Sequence, residues 1–378
     1  MTPTSPGLTC SLPLGLRSFL LPSAFELGNE QCGVFTAEET ARNFALLTEL
    51  LTGLYPNETE RPKIIGPDPW GFHEPFGGHS NQSDGREQRQ RLDAAQRLQF
   101  IVDFYRNCSQ LGVHLHALSH HEHIDVPPNP QTPLNGNTTI LDFTGAIASH
   151  VNRTLGAVAP GVQIWAGEVG PHNGGSPGCS SGGRWANWGN TFWYLDAMGS
   201  KARNGYSAFC RQDFIGIDYG MLDCKTQAPL PDYYGGVLWS MLMGRSVLSV
   251  TGAAPLAGRR IRAYAHCANT TPGAVTVLLL NTDAVAGAVV RLGNLGGSSA
   301  QRTEWHLTGP AGTSATLVAL NGETLEYSVD PGGEAVLPNL AGRTVARVPG
   351  GDDMVEMAPA SIVFVQVGGG DAANSLCK

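Results

Sequence analysis

Between residues 23 and 243, short apolar runs alternate with helical patterns, and this alternation most limits the folds open to the chain. Parallel strands need a long crossover, usually a helix, so a strand–helix–strand rhythm argues for a parallel sheet. Strands are expected at 23–27, 63–66, 113–119, 162–167 and 207–211. Helices are expected at 37–54, 91–111, 141–155, 187–198 and 233–243. The first helix has Thr36 as N-cap and Glu39 at the capping-box position. In the second, Leu92, Ala95, Leu98, Ile101, Val102 and Tyr105 recur at near-helical spacing. The pattern amounts to about five β/α units, where a closed (β/α)8 barrel needs eight. The expectation is an α/β chain with a TIM-type (β/α)8 barrel that is N-terminally incomplete.

After Gly244 the texture changes. Strand-like runs at 262–266, 275–280, 289–292, 316–320 and 362–367 are separated by Gly, Pro and Asn-Gly turns, with no convincing helix. An all-β sandwich fits this spacing best. The expected division is an atypical segment at 1–22, a partial barrel with the catalytic site at 23–245, and the sandwich at 246–378.

Charge narrows the partners. The chain has 32 carboxylates against 24 Lys plus Arg, and its only lysines are Lys63, Lys201, Lys225 and Lys378. A polyanion binder is expected to carry a basic patch. None stands out, which argues against nucleic acid and against a highly sulfated glycan. Eight cysteines without a CxxC spacing argue against a zinc module. Six N-x-S/T sequons, starting at Asn57, Asn81, Asn107, Asn137, Asn152 and Asn269, together with the even cysteine count, point to the secretory pathway. Residues 1–22 lack the charged start and clean apolar core of a signal peptide. The expected destinations are extracellular, cell wall, lysosome or vacuole, with peripheral membrane or cell-wall association.

The chemistry is concentrated in two short segments. Phe25-Glu26-Leu27-Gly28-Asn29-Glu30 and Ile164-Trp165-Ala166-Gly167-Glu168 are each an apolar run ending on a glutamate beside small or amide residues. Barrel strands deliver catalytic groups at their C-terminal ends in this manner. Two carboxylates are what a glycosidase needs, and a separation of ~5–5.5 Å implies retention of configuration. Glu30 would protonate the leaving oxygen and Glu168 would attack the anomeric carbon, with Asn29 placed to bond the sugar 2-hydroxyl. Two glutamates at strand ends can also be solvated surface residues, but the Gly-Asn-Glu and Trp-Ala-Gly-Glu contexts lower that reading.

With these segments in hand, the chain resembles the heparanase-like β-glucuronidases of glycoside hydrolase family 79, closest to the plant branch. Further matching stretches are Ile65-Gly66-Pro67-Asp68, Phe192-Trp193-Tyr194-Leu195-Asp196, Cys210-Arg211-Gln212, Tyr219-Gly220-Met221-Leu222 and Pro231-Asp232-Tyr233-Tyr234. The resemblance implies that Glu30 is the proton donor and Glu168 the nucleophile. It implies that Asn29, Gln212, Tyr219 and the backbone of Gly174 and Gly175 line the sugar site, and that Cys267 pairs with Cys377. The chain departs from the family in its first three β/α units, in a Gly/Ser insertion after Glu168, and in His120-His121-Glu122-His123, which replaces an aromatic His-His-Tyr. It also lacks the lysine-rich stretch of animal heparanases, which makes heparan sulfate a poor substrate guess.

His120, His121 and His123 with Glu122 could ligate a metal. Neighbours leaving a strand point different ways, however, so no metal is expected. His121 is instead expected to bond the sugar or a catalytic glutamate, as its family position implies; a solvent-facing loop histidine is the plainer reading. Tyr219 is expected to line the site, where its hydroxyl on the nucleophile would keep that carboxylate ionised. Trp185 and Trp188 can stack on a sugar face or pack on the barrel exterior. Cys210 reads as a buried strand thiol.

The reading is therefore an O-glycosyl hydrolase that removes β-linked glucuronic acid from a glycan or glucuronide. No cofactor is needed, because both half-reactions run on carboxylates. The rivals are an inactive, truncated homologue that binds glycans, and a similar barrel that cleaves another sugar.

Overall fold

The computed structural model of the chain describes residues 22–72, 93–124, 139–172, 185–251, 260–293, 301–347, 353–368 and 377. Its first half is a sheet of five parallel strands, hydrogen-bonded in chain order. These are β1 (Ala24–Glu26), β2 (Lys63–Pro67), β3 (Ala117–His123), β4 (Gln163–Gly170) and β5 (Ala208–Arg211). Helices α1 (Ala37–Leu54), α2 (Ala94–Gln110), α3 (Thr139–Val158) and α4 (Trp188–Arg203) connect them, and α5 (Pro231–Leu242) follows β5. The arrangement is a half-barrel of the (β/α)8 type, and among the described residues β1 and β5 are its edges.

Local chemistry accounts for the helix starts. Thr36 Oγ1 accepts the Glu39 amide at 3.1 Å, and the Glu39 carboxylate accepts the Thr36 amide at 2.8 Å. Asp93 and Gln96 form the same reciprocal cap at α2, so that helix begins inside the expected 91–111 run. The largest difference is in β3, which begins later than the apolar run and continues through His123. Polar residues can extend it because all seven of its residues are buried against partners, and its pairing with β4 reaches Gly170. Cys210 does not match the expected buried thiol: it is exposed on the edge strand β5.

The second half is antiparallel. Strands β6 (Met243–Leu248), β7 (Ile261–Ala268), β8 (Ala274–Asn281), β9 (Ala288–Leu292) and β10 (Gln301–Thr308) are followed by the short β11 (Ala319–Leu320), β12 (Glu323–Thr324), β13 (Ser328–Val329) and β14 (Ala335–Val336). Then come β15 (Arg343–Ala346), β16 (Asp353–Met357) and β17 (Ser361–Gly368). The main sheet runs β12-β11-β10-β17-β8-β7-β6, with β15 beside β10. On one face Val275, Val277, Leu279, Val363 and Val365 pack on Val290, Val355 and Met357 of the β9–β16 ribbon. The alternate residues Leu278, Leu280, Ile362 and Phe364 join the core that reaches the half-barrel. Alternation along β8 and β17 thus serves two cores at once. Strand β10 was not expected, because its Gln-Arg-Thr-Glu start reads as surface. It is buried by an ion network: Arg302 holds Glu304 at 2.7 Å and Asp353 at 2.9 Å.

The two halves meet along α4. Trp188 is buried, edge-on to Phe192, and its indole N–H donates to the Ala360 carbonyl at 2.8 Å. Of its two readings the packed one therefore holds. The Tyr264 hydroxyl donates to Asp196 at 2.6 Å, and Arg262 pairs with the same carboxylate. A Cβ on Gly199 would lie 2.4 Å from the Tyr264 ring, so only glycine permits this approach. Cys267 and Cys377 are joined by a disulfide, with their Cα atoms 5.4 Å apart. Among the described residues no helix is long and apolar enough to cross a membrane.

Candidate active site

The C-terminal ends of the parallel strands converge on five ionisable groups, Glu30, Asp68, His121, His123 and Glu168. Glu30 lies in the turn after β1, behind Gly28 at φ 89°, and is itself left-handed at φ 51°. Asp68, directly after β2, has the same φ of 51°. Such a conformation costs a non-glycine residue roughly 1–2 kcal/mol. The pair is locked because the Glu30 amide donates to the Asp68 carbonyl at 3.1 Å. The β3–β4 register slips between His120 and His121, which sets His121 opposite Glu168.

Alternation along β3 divides the histidine run. His121 and His123 turn towards the glutamates, two residues apart and on one face. His120 and Glu122 go the other way: His120 accepts from the Tyr206 hydroxyl at 2.8 Å, and Glu122 pairs with buried Lys201 at 2.6 Å. Burial and the Lys201 charge push His120 down to about 3, so it is neutral. All three histidines are buried, which removes the solvent-facing loop reading. The expectation that they point apart holds for His120 and fails for His121 and His123, which share a side.

His121 donates through Nδ1 to Glu30 at 2.9 Å and through Nε2 to Asp68 at 2.5 Å; Glu168 Oε2 lies 3.8 Å from the same Nε2. Burial opposes its charge, yet the hydrogen bonds to Asp68 and Glu30 and the charges of Asp68 and Glu168 push it up to about 10. It is an imidazolium clamped between Glu30 and Asp68. His123 Nε2 stands 3.1 Å from Glu168 Oε1, and its Nδ1 donates to the His172 carbonyl at 3.2 Å. Burial would raise the Glu168 carboxyl, but the His123 bond and the two histidine charges hold it below the usual range. One donor atom from each of Glu30, His121, His123 and Glu168 lies within 4.8 Å of every other, so these four could also hold a metal ion. The Glu30 and Glu168 side chains keep 20% and 27% of their surface open, which leaves both within reach of a substrate.

The remaining expected residues divide. Asn29 is exposed beside Glu30. Gln212 follows β5, its amide donating to the Val169 carbonyl at 2.9 Å. Tyr219 is buried and its hydroxyl donates to Gln212 Oε1 at 2.9 Å, so the bond expected to the nucleophile goes to Gln212, and His123 holds Glu168 instead. Gly174 and Gly175 lie outside the described residues. Trp185 is buried and stacks on His172 at 4.4 Å, behind the carbonyl that orients His123.

Two carboxylates escaped sequence reasoning as site residues. Asp68 orients His121, and the signal for it was the Ile65-Gly66-Pro67-Asp68 stretch at a strand end. A Cβ on Gly167 would meet Asp68 Oδ1 at 2.2 Å, so the glycine before Glu168 makes room for this carboxylate. Glu26 accepts the Ser119 hydroxyl at 2.5 Å; burial of its carboxyl and repulsion from Asp68 push it up to about 7.

No family model matches the chain. It is 28% identical over 379 residues to Heparanase-like protein 3 of Arabidopsis thaliana, covering 91% of this chain and 62% of that protein. It is 36% identical over 217 residues to Baicalin-beta-D-glucuronidase of Scutellaria baicalensis, covering 56% and 37%. Inactive heparanase-2 of Homo sapiens is 28% identical over 232 residues, covering 56% and 38%. The chain thus spans less than two thirds of the length of each of these relatives. Among solved structures, a 4-O-alpha-L-rhamnosyl-beta-D-glucuronidase from Fusarium oxysporum superposes with a TM-score of 0.56 at 14% identity, covering 91% of this chain and 70% of that one. A GH51 arabinofuranosidase from Xanthomonas axonopodis gives 0.57 at 15%, covering 91% and 66%. These two likenesses show the fold, that of glycosidase barrels.

Proposed function

We propose that this chain, a homologue of the plant heparanase-like proteins and β-glucuronidases, is a retaining glycosidase that cleaves β-linked glucuronic acid. The observation that carries the reading is the spacing of its carboxylates: an oxygen of Glu30 lies within 4.8 Å of one of Glu168. Retaining enzymes hold the pair ~5–5.5 Å apart, whereas inverting ones need ~6.5–9.5 Å for the attacking water.

In this mechanism Glu168, ionised and steadied by His123, attacks the anomeric carbon while Glu30 gives its proton to the leaving oxygen. The glycosidic bond breaks as the glycosyl–Glu168 ester forms. Glu30, now a carboxylate, then takes a proton from the water that attacks the anomeric carbon, and Glu168 leaves. His121, fixed by Asp68, donates to Glu30 and offsets negative charge between the two glutamates. Gln212 and the amides of Gly174 and Gly175 are the groups assigned to the sugar, with Tyr219 holding Gln212. The acidic balance favours a weakly sulfated glycan or an aryl glucuronide as substrate. The six sequons support a secretory route, with peripheral membrane or cell-wall association to be checked by fractionation.

A second reading, an inactive glycan-binding homologue, is supported by the likeness to Inactive heparanase-2. A mechanism-based covalent glucuronidase probe with peptide mapping separates the two. Labelling at Glu168, absent in Glu168→Gln, supports the hydrolase; no labelling, with an active relative labelled in parallel, sinks it. A panel of aryl glycosides then tests the choice of sugar.

A further inference from the structure

We propose that Glu30, His121, His123 and Glu168 also form a binding site for a transition-metal dication of the zinc type, and that the ion and the substrate exclude one another. The ion site stands on geometry alone; the exclusion rests on the function proposed above.

Three observations support the site. The first is the donor set: two imidazoles and two carboxylates, with one donor from each within 4.8 Å of the others. A tetrahedral zinc with bonds of about 2.0–2.1 Å wants its donors about 3.3 Å apart. The His121–Glu30 and His123–Glu168 pairs, at 2.9 and 3.1 Å, are already near that span, so modest side-chain shifts close the shell. Two imidazole nitrogens favour zinc, copper or nickel over magnesium or calcium, which prefer all-oxygen sites.

The second is the layer behind the donors. Histidines that bind metals nearly always give their other ring N–H to a carboxylate or a backbone carbonyl, which sets the tautomer and the ring orientation. His123 gives Nδ1–H to the His172 carbonyl, and so presents Nε2 to Glu168. His121 has a carboxylate on each ring nitrogen, Glu30 on Nδ1 and Asp68 on Nε2. With Nδ1 on the ion, Nε2 keeps Asp68 as its acidic partner.

The third is access with charge. Three carboxylates surround two histidines, and the side chains of Glu30 and Glu168 are partly open to solvent. A dication entering there would replace the contacts these groups now make with one another, and the ring proton that His121 gives to Glu30 would be released to solvent. The ion would also occupy the point where a glycosidic oxygen must sit between the glutamates.

The test uses the whole 378-residue chain after treatment with a chelator. Titration with Co2+ should develop the intense visible bands of a four-coordinate ion, and Zn2+ should displace it at one per chain. Removing a ligand in His123→Phe should weaken Zn2+ binding about 100-fold or more. Removing the orienting partner in Asp68→Asn should weaken it about 10–100-fold. Circular dichroism confirms that each variant is folded. Absence of four-coordinate Co2+ in the native chain overturns the site, as does binding that both variants leave unchanged. Zn2+ should inhibit aryl glucuronide hydrolysis competitively, and non-competitive inhibition overturns the exclusion. A chain that binds Zn2+ and hydrolyses nothing keeps the ion site and removes the glycosidase reading; hydrolysis without stoichiometric binding does the reverse.

Discussion

The Nε2 of His123 stands 3.1 Å from Oε1 of Glu168, two residues along β3 from His121. The contact makes a histidine the direct partner of the proposed nucleophile. His123→Phe removes a hydrogen bond to a charged group, worth about 1.5–3 kcal/mol. The expected result is a fall in kcat/KM of about 10–100-fold. Activity needs Glu168 ionised and is lost as pH falls through its depressed pKa; without His123 that pKa rises, so the acid limb moves to higher pH. His123→Tyr, which keeps a donor, should retain more activity than the Phe variant. Aryl glucuronide kinetics across pH read both effects.

Gly167 offers a test of the site's geometry without touching an ionisable group. An added Cβ would sit 2.2 Å from Asp68 Oδ1 and force that carboxylate off His121. Gly167→Ala should destabilise the fold by about 1–3 kcal/mol. It should also lower kcat by more than tenfold at temperatures where circular dichroism shows the chain folded. Normal turnover with a normal melting temperature would contradict the placement of Asp68.

In the second half, Glu304 is bonded to Arg302, His306 and Arg343 at 2.7, 2.7 and 2.8 Å. Despite burial, these bonds hold its carboxyl down at about 2. A group depressed in the folded state stabilises fully above its unfolded pKa, about 4.5 here, and loses that contribution as pH falls through about 2. Glu304→Gln should cost about 1.5–3 kcal/mol near neutral pH. Denaturation curves should show the gap between the native and variant chains closing between those two values.

The Cys267–Cys377 bridge closes a loop with a sequence separation of 110 residues, among the longer spans a single disulfide can constrain. In the chain-entropy model a loop of this length stabilises by roughly 4–5 kcal/mol. Cys267→Ala with Cys377→Ala should therefore lower the melting temperature by several degrees. The loss should appear in the antiparallel half, which hydrogen exchange can resolve from the half-barrel.

Much of this molecule was legible in the chain. The β/α rhythm predicted the parallel sheet, the Thr36–Glu39 pair marked the start of α1, and the apolar runs located β7, β8, β9 and β17. Glu30 and Glu168 stood out because a strand-end glutamate beside glycine is a local pattern. Strand β10 did not stand out, since Arg302 and Glu304 look solvated until Asp353 arrives from 51 residues away.

By itself the sequence determined the alternation of strands and helices in the first half, and the glutamates Glu30 and Glu168 near the ends of its strands, because those depend on near neighbours. It left open where the histidines face. Only the tertiary structure decided that the face of β3 carrying His121 and His123 meets the glutamates, with a register slip at Gly167 of β4 bringing Glu168 opposite His121, while His120 and Glu122 meet Tyr206 and Lys201. The physical reason is that side-chain direction alternates along a strand, and a one-residue slip exchanges its two faces. Such a slip is set by pairing with β3 and by partners far along the chain, which no local pattern records.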